Sequence, residues 1–298
     1  MAVAYQMFPN FFITMANSLP ALLGQIPNSE YDHESPLIRV HAALRAISFA
    51  YRNKSRTSQR NDWQNPANRC AYVFLYFVKN SHLVYDALIE NRYCFHNLMT
   101  QRREIKVCSI GGGPGSDIAG VIAFLDRMNY RKSMECVVMD LYPIWESTWH
   151  QIRRQLPPSK LQHFNSRYEY FDMTKKPSYC HVANILSHAD LVTFVKSFSN
   201  VYKVPSAKTT MTTIMESLHL GAIVLYIDNS SNRDANLLFI RIAHEAGLRV
   251  LHAFVHNDPL RLPATESVRN FSDIFDFKPL RTCCVTIYLL RKQPRHYH

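Results

Sequence analysis

The sequence predicts an α/β protein: a doubly wound, mainly parallel seven-stranded sheet with helices on both faces and an antiparallel last strand, preceded by an N-terminal helical segment. Three observations carry this. From about residue 104 onward, short apolar runs of β type alternate with amphipathic stretches of helical length. A glycine-rich turn, Gly111-Gly-Gly-Pro-Gly115, stands directly behind the first run. The first hundred residues show helical periodicity and no strand alternation.

Residues 1–103 form the helical segment, read as a substrate-recognition or lid element. In Arg39–Arg52 the apolar Val40, Leu44, Ile47 and Tyr51 fall on one helical face, and a second helical region covers roughly Ala67–Met99. Between them, residues 51–68 are polar and read as an exposed loop.

Residues 104–298 form the sheet domain. Its β runs are 105–110, 135–140, 168–173, 190–195, 222–228, 249–255 and 283–291. Helical stretches span Asp117–Arg127, Ile144–Gln155, Ser206–Leu218 and Arg233–Ala246. Near-continuous apolar strands separated by helices imply a sheet covered on both faces. Residues 256–282 carry Pro259, Pro263 and Pro279 and a Phe-rich patch (Phe271, Phe275, Phe277) that reads as a short helix or an inserted flap; no strong crossover helix is visible there, so the last strand is read as entering antiparallel.

Composition excludes several classes. Apolar content of 47% with 19% charge describes a globular chain rather than a disordered one. The longest apolar run, Cys70–Val78, is about half of what spans a bilayer, so no membrane partner is expected. No Lys or Arg precedes Arg39, which disfavours a presequence, and seven scattered cysteines read as free thiols. A cytoplasmic or nuclear protein is expected. With no Cys-x-x-Cys and no helical histidine pair, no metal site is expected either.

The glycine turn follows a strand and opens a helix, where backbone N–H groups meet ligands. A phosphate loop needs Lys and Ser or Thr after the last glycine, yet Ser116 and Asp117 follow Gly115. Gly111 and Gly113 fit a dinucleotide fingerprint, but Ser116 stands in the third glycine position and Asp117 would place charge near a pyrophosphate. A nicotinamide or flavin reading stays open on these residues alone.

Gly111-x-Gly113-x-Gly115 after a strand, Asp140 ending the second strand and Asp172 ending the third together resemble the class I S-adenosylmethionine-dependent methyltransferases. The resemblance covers about residues 104–292 and implies S-adenosylmethionine as cofactor. It places Gly111, Gly112, Gly113, Pro114, Gly115 and Asp117 around the cofactor, and gives Asp140 the ribose hydroxyls, with Leu141 and Tyr142 beside it. Asp172 and Met173 match the adenine position, and Lys196, ending the fourth strand, faces cofactor and acceptor. Lys196 is the candidate catalytic residue; no base is assigned. The chain departs from the family at Ser109, where an acidic residue is common.

Trp145 and Trp149 read as core, and Tyr142 as the candidate for stacking. The Asn/Asp-Pro-Pro-Tyr/Phe motif of enzymes that methylate base amino groups is absent after the fourth strand, where Ser197–Asn200 stands. The net charge of +11 and the basic residues Arg52, Lys54, Arg56 and Arg60 make RNA the expected methyl acceptor. A small molecule under the helical lid comes next, then a protein, and a catalytically inactive binding or scaffold protein is the reading from another class.

Overall fold

A computed structural model of the protein describes residues 10–27, 35–53, 62–175, 179–256, 266–279 and 283–294. Seven strands form one sheet: β1 (Glu104–Ile110), β2 (Ser133–Asp140), β3 (Phe164–Tyr170), β4 (Leu191–Val195), β5 (Ile223–Asn229), β6 (Leu248–His256) and β7 (Val285–Lys292). Their spatial order is β3-β2-β1-β4-β5-β7-β6, with only the pairings of β7 antiparallel. This is the doubly wound order with β7 inserted between the fifth and sixth strands, and the antiparallel last strand is present. The order reverses between β1 and β4, which opens a crevice at their carboxyl ends.

The strands form where the sequence is apolar on both faces: every residue of β4 from Leu191 to Phe194 and of β5 from Ile223 to Asp228 is buried. On one face lie α8 (Tyr179–Leu186), α9 (Pro205–Ser217) and α10 (Arg233–Glu245), whose Leu186, Ile214 and Phe239 meet Phe194 and Tyr226. The other face carries α6 (Ser116–Arg127), α7 (Trp145–Arg153) and α11 (Glu266–Phe275).

The segment before β1 comprises α1 (Phe11–Leu23), α2 (Pro36–Asn53), α3 (Pro66–Tyr72), α4 (Val78–Glu90) and α5 (His96–Gln101), with a π-helical turn at Val73–Phe77 joining α3 to α4. Its apolar side chains share one buried cluster with α6, α7, α11 and the sheet. No described helix is long and apolar enough to cross a membrane.

The structure differs from expectation at two elements, β3 and α8. Helix α1 falls within the expected N-terminal helical segment; Asn10 is its N-cap, accepting the Ile13 N–H at 3.1 Å, and Pro20 falls near its end. Strand β3 starts and ends earlier than expected, so Asp172 lies in the loop beyond it; Phe171 donates to the Asp140 carbonyl and closes the ladder. Helix α8 occupies a segment where no helix was placed, and α11 is the short helix of the Phe-rich segment before β7.

Helices α4 and α6 touch at Gly120, where a Cβ would sit 2.7 Å from the Ser81 carbonyl oxygen and 2.8 Å from Val84 Cβ. Glycine to alanine inside an exposed helix ordinarily stabilises by about 1 kcal/mol. Here Gly120→Ala is expected to destabilise by about 1–3 kcal/mol through overpacking, as read from urea unfolding. A gain in stability would show that the two helices separate freely.

Candidate functional site

The glycine turn sits at the carboxyl end of β1, and its four glycines answer to different constraints. Gly111, Gly113 and Gly115 have φ of 68°, 50° and 79°. A Cβ on Gly111 would stand 2.6 Å from Ser197 Cβ, one on Gly112 would meet Ser109 Oγ, and one on Gly115 would enter the Trp149 ring at 2.5 Å. Only at Gly113 is there room, the nearest atom being Trp145 Cε2 at 3.9 Å. Three of the glycines are therefore required by the protein's own packing, and Gly113 is the one that leaves open space.

Beneath the turn lies Asp117, in the first turn of α6 and 2% exposed. Its Oδ2 accepts from Ser109 Oγ on β1 and from Thr193 Oγ1 on β4, both at 2.5 Å, and its Oδ1 accepts the Ile118 N–H at 3.0 Å. Burial pushes its pKa up, against these hydrogen bonds, which pull it down. The helix N-terminus favours the charge as well. The acidic group missing at position 109 thus enters the same spot from α6.

Asp140 ends β2 and is 8% exposed. Its Oδ2 accepts the Gly113 N–H at 3.0 Å and its Oδ1 the Tyr142 N–H at 2.9 Å. Burial raises its pKa to about 6. The Gly113 carbonyl accepts from the Tyr168 hydroxyl at 3.1 Å, so both polar groups of Gly113 are held. Leu141 and Tyr142 are half-buried beside the carboxylate. Trp149 is core, as read, and its Nε1 donates to Ser166 Oγ at 3.0 Å. Trp145 stacks with Trp63 and Tyr72 at ring separations of 5.2 and 5.5 Å. These rings bring the N-terminal segment to the site: the Tyr72 hydroxyl is raised well above its usual value by burial, with Asp140 and Asp117 adding to the effect.

Asp172 is buried, and its Oδ1 accepts from the Thr174 N–H at 2.8 Å and the Thr174 hydroxyl at 2.6 Å. This turn leaves Oδ2 facing Lys175 Nζ at 3.9 Å. Met173 reaches back to the turn, its Cε 3.6 Å from where a Gly111 Cβ would be. Pro114 is buried. The Ser116 and Ser197 hydroxyls, buried on either side of the turn, have no hydrogen-bond partner among the described residues.

Lys196 follows β4 in a left-handed backbone, φ 54°, which few non-glycine residues adopt. Its Nζ donates to Asn229 Oδ1 at 2.7 Å. Burial lowers the pKa of its ammonium. Beside it stands Lys79 of α4, 5% exposed, with its pKa pushed down to about 7 by burial and by the Lys196 charge. Asp228, at the end of β5, accepts from the Asn229 and Ser199 N–H groups. Lys79, Tyr72, Tyr168 and Asn229 escaped the sequence reading. A lysine directly after the apolar run Cys70–Val78, within the expected helical region, was the available signal for Lys79.

The side chains of Arg52, Lys54, Arg56 and Arg60 lie outside the described residues. Among the described residues there is no group of three or more His, Cys, Asp or Glu that could hold a metal ion.

No family model and no curated protein sequence matches the chain. Solved structures do. A TehB-like S-adenosylmethionine-dependent methyltransferase of Corynebacterium glutamicum is 13% identical over 85% of this chain and 99% of its own, with a TM-score of 0.40. An S-adenosylmethionine-dependent methyltransferase of Clostridium acetobutylicum is 11% identical over 73% and 92%, with a TM-score of 0.42. The N-methyltransferase NodS of Bradyrhizobium japonicum, in complex with S-adenosylhomocysteine, is 11% identical over 64% and 79%, with a TM-score of 0.38. At these values the likeness adds nothing to what the strand order and the site geometry carry.

Asp117→Ala would leave the Ser109 and Thr193 hydroxyls buried without their acceptor. The expected loss is about 2–4 kcal/mol by chemical denaturation, and Asp117→Asn, which keeps one acceptor, should lose less. An Asp117→Ala protein as stable as wild type would show that the carboxylate ties nothing together.

Proposed function

We propose that the chain is a class I S-adenosylmethionine-dependent methyltransferase. The observation that carries this is Asp140: a buried carboxylate at the switch point, paired with no cation among the described residues and bonded directly to Gly113, the glycine of the turn with open space beside it. Such a group suits neutral hydroxyl donors, and a ribose supplies two of them. A pyrophosphate is disfavoured by the Asp117 charge beneath the turn and by the lack of a lysine after it.

The residues present fit the cofactor. The partnerless Ser116 and Ser197 hydroxyls are buried polar groups that a ligand with amine and carboxylate ends would satisfy. Asp140 would hold the ribose hydroxyls, Tyr142 would cover the adenosine, and Asp172 Oδ2 with Met173 would meet the adenine. When bound, S-adenosylmethionine supplies an electrophilic methyl group on a sulfonium. The chain contributes proximity and alignment, and Lys196 orients the acceptor at the end of β4.

For the acceptor, the net charge of +11 supports RNA. Lys196 at the end of β4, met there by the buried Lys79 of α4, supports a small molecule, which is the reading we favour. A catalytically silent scaffold draws on Ser109, and Asp117 answers that objection by supplying the acid from α6.

Titration calorimetry with S-adenosylmethionine and S-adenosylhomocysteine tests the proposal. Wild type should bind both, and Asp140→Ala should weaken binding at least about tenfold, the worth of one charge-assisted hydrogen bond. Folded wild-type protein that binds neither would leave the scaffold reading. The pH dependence has a definite sign. With its pKa raised to about 6, Asp140 is ionised and able to accept from both hydroxyls above that pH, so affinity should fall as pH drops through about 6. Affinity unchanged between pH 5 and 8 (about one unit or more to each side of that pKa) would remove Asp140 from the ribose role.

A further inference from the structure

Two buried lysines in this protein are satisfied in opposite ways. Lys292 is 8% exposed and caps two helix ends, its Nζ donating to the Met215 and Ala246 carbonyls at 2.8 and 2.7 Å. That is a structural lysine. Lys79 is buried as deeply, at 5%, yet among the described residues its Nζ donates to no carbonyl and no carboxylate. What it faces is the Tyr76 ring, 5.6 Å from Nζ to centroid, the Cys283 thiol and the amine of Lys196. Lys196 faces Asn229, Asp228, Cys283 and Lys79.

Two ammonium groups within hydrogen-bonding reach of each other repel, and burial strengthens the repulsion. Asp228 offsets one of the two charges, and among the described residues no carboxylate faces Lys79. The local backbone is unusual on both sides: a π-helical turn ends one residue before α4 begins, and Lys196 is held left-handed. Both features cluster at functional sites. The next residue, Ser197, packs against Gly111 and keeps its hydroxyl unpartnered, so the pair borders the glycine turn.

We propose that Lys79 and Lys196 form an oxyanion subsite that takes the carboxylate or phosphate of a small acidic methyl acceptor and seats it beside the glycine turn. Among the described residues Asp228 is the one carboxylate that faces the pair, so an anion would balance the second charge and allow both amines to be protonated at once. Calling this ligand the acceptor rests on the methyltransferase reading; the subsite itself does not.

The test uses the full chain with inorganic phosphate and with benzoate as probes, each titrated with and without saturating S-adenosylhomocysteine. Lys79→Met and Lys196→Met should each weaken anion binding by about tenfold, the loss of one charge-assisted hydrogen bond. The Lys79→Met protein should keep its S-adenosylhomocysteine binding and melt at or above the wild-type temperature, because an unpaired buried amine is replaced by an apolar chain of similar length. A preference for phosphate or for benzoate tells the two oxyanions apart, and either supports the subsite. Benzoate stays ionised throughout, so its affinity should fall as pH rises above about 7, where Lys79 gives up its proton.

Failure of both anions to bind wild type would overturn the proposal. So would anion binding that neither substitution changes, or a Lys79→Met protein that melts lower while binding anions as before. Competition with benzoate by a short oligoribonucleotide, lost in both variants, would overturn the small-acceptor assignment in favour of RNA. Anion binding without S-adenosylhomocysteine binding would keep the subsite and remove the methyltransferase reading.

Discussion

The buried carboxylate of Asp117 is the constraint on which the carboxyl edge of the sheet depends. It joins β1 through Ser109, β4 through Thr193 and the start of α6 through Ile118, and β1 and β4 are the two strands that flank the switch point. A carboxylate in this place is costly, as its raised pKa records, and the cost is offset by three donors and a helix N-terminus. Ser109 follows from the same arrangement. An acid at that position would confront Asp117 across a hydrogen-bond distance, so residues 109 and 117 amount to one choice about which element brings the charge.

Above this tie the glycine turn is rigid rather than loose. Gly115 lies on the Trp149 ring, Gly111 on Ser197, and Gly113 is pinned through its N–H by Asp140 and through its carbonyl by Tyr168. A turn fixed at every residue before a ligand arrives has little entropy to lose on binding. The same packing explains how a bare sequence makes an ordered surface. The missing side chains are replaced by neighbours from β1, β4 and α7, and only Gly113 is left facing open space.

The sheet was legible because its strands are buried on both faces and read as unbroken apolar runs, and because the glycines mark where β1 turns into α6. Asp140 was legible from its place after the second run. Less was readable where packing overrides local pattern. Helix α1 carries its own cap in Asn10, a residue that looks like an interruption until the helix behind it is seen. Strand β3 alternates weakly because much of it is exposed, so its ends were misplaced and Asp172 with them. Lys79 lies 117 residues before Lys196 in the chain, and no local spacing could announce that α4 brings the two amines together.

That encounter makes the N-terminal helices part of the site. Tyr72 stands near Asp140, Trp63 stacks on Trp145, and Arg69 donates to Thr148 of α7 at 3.1 Å while its other nitrogen holds the Trp63 and Gln64 carbonyls. These contacts lie on one stretch of chain, residues 63–79, which meets α7 at Trp145 and Thr148, the end of β2 at Asp140 and the end of β4 at Lys196. A lid that opened by swinging this stretch away would expose the apolar cluster it shares with α6 and break the buried Arg69 bonds. The cost of that motion favours a fixed wall, with ligand access left to the side where Gly113, Tyr142 and Met173 remain partly exposed.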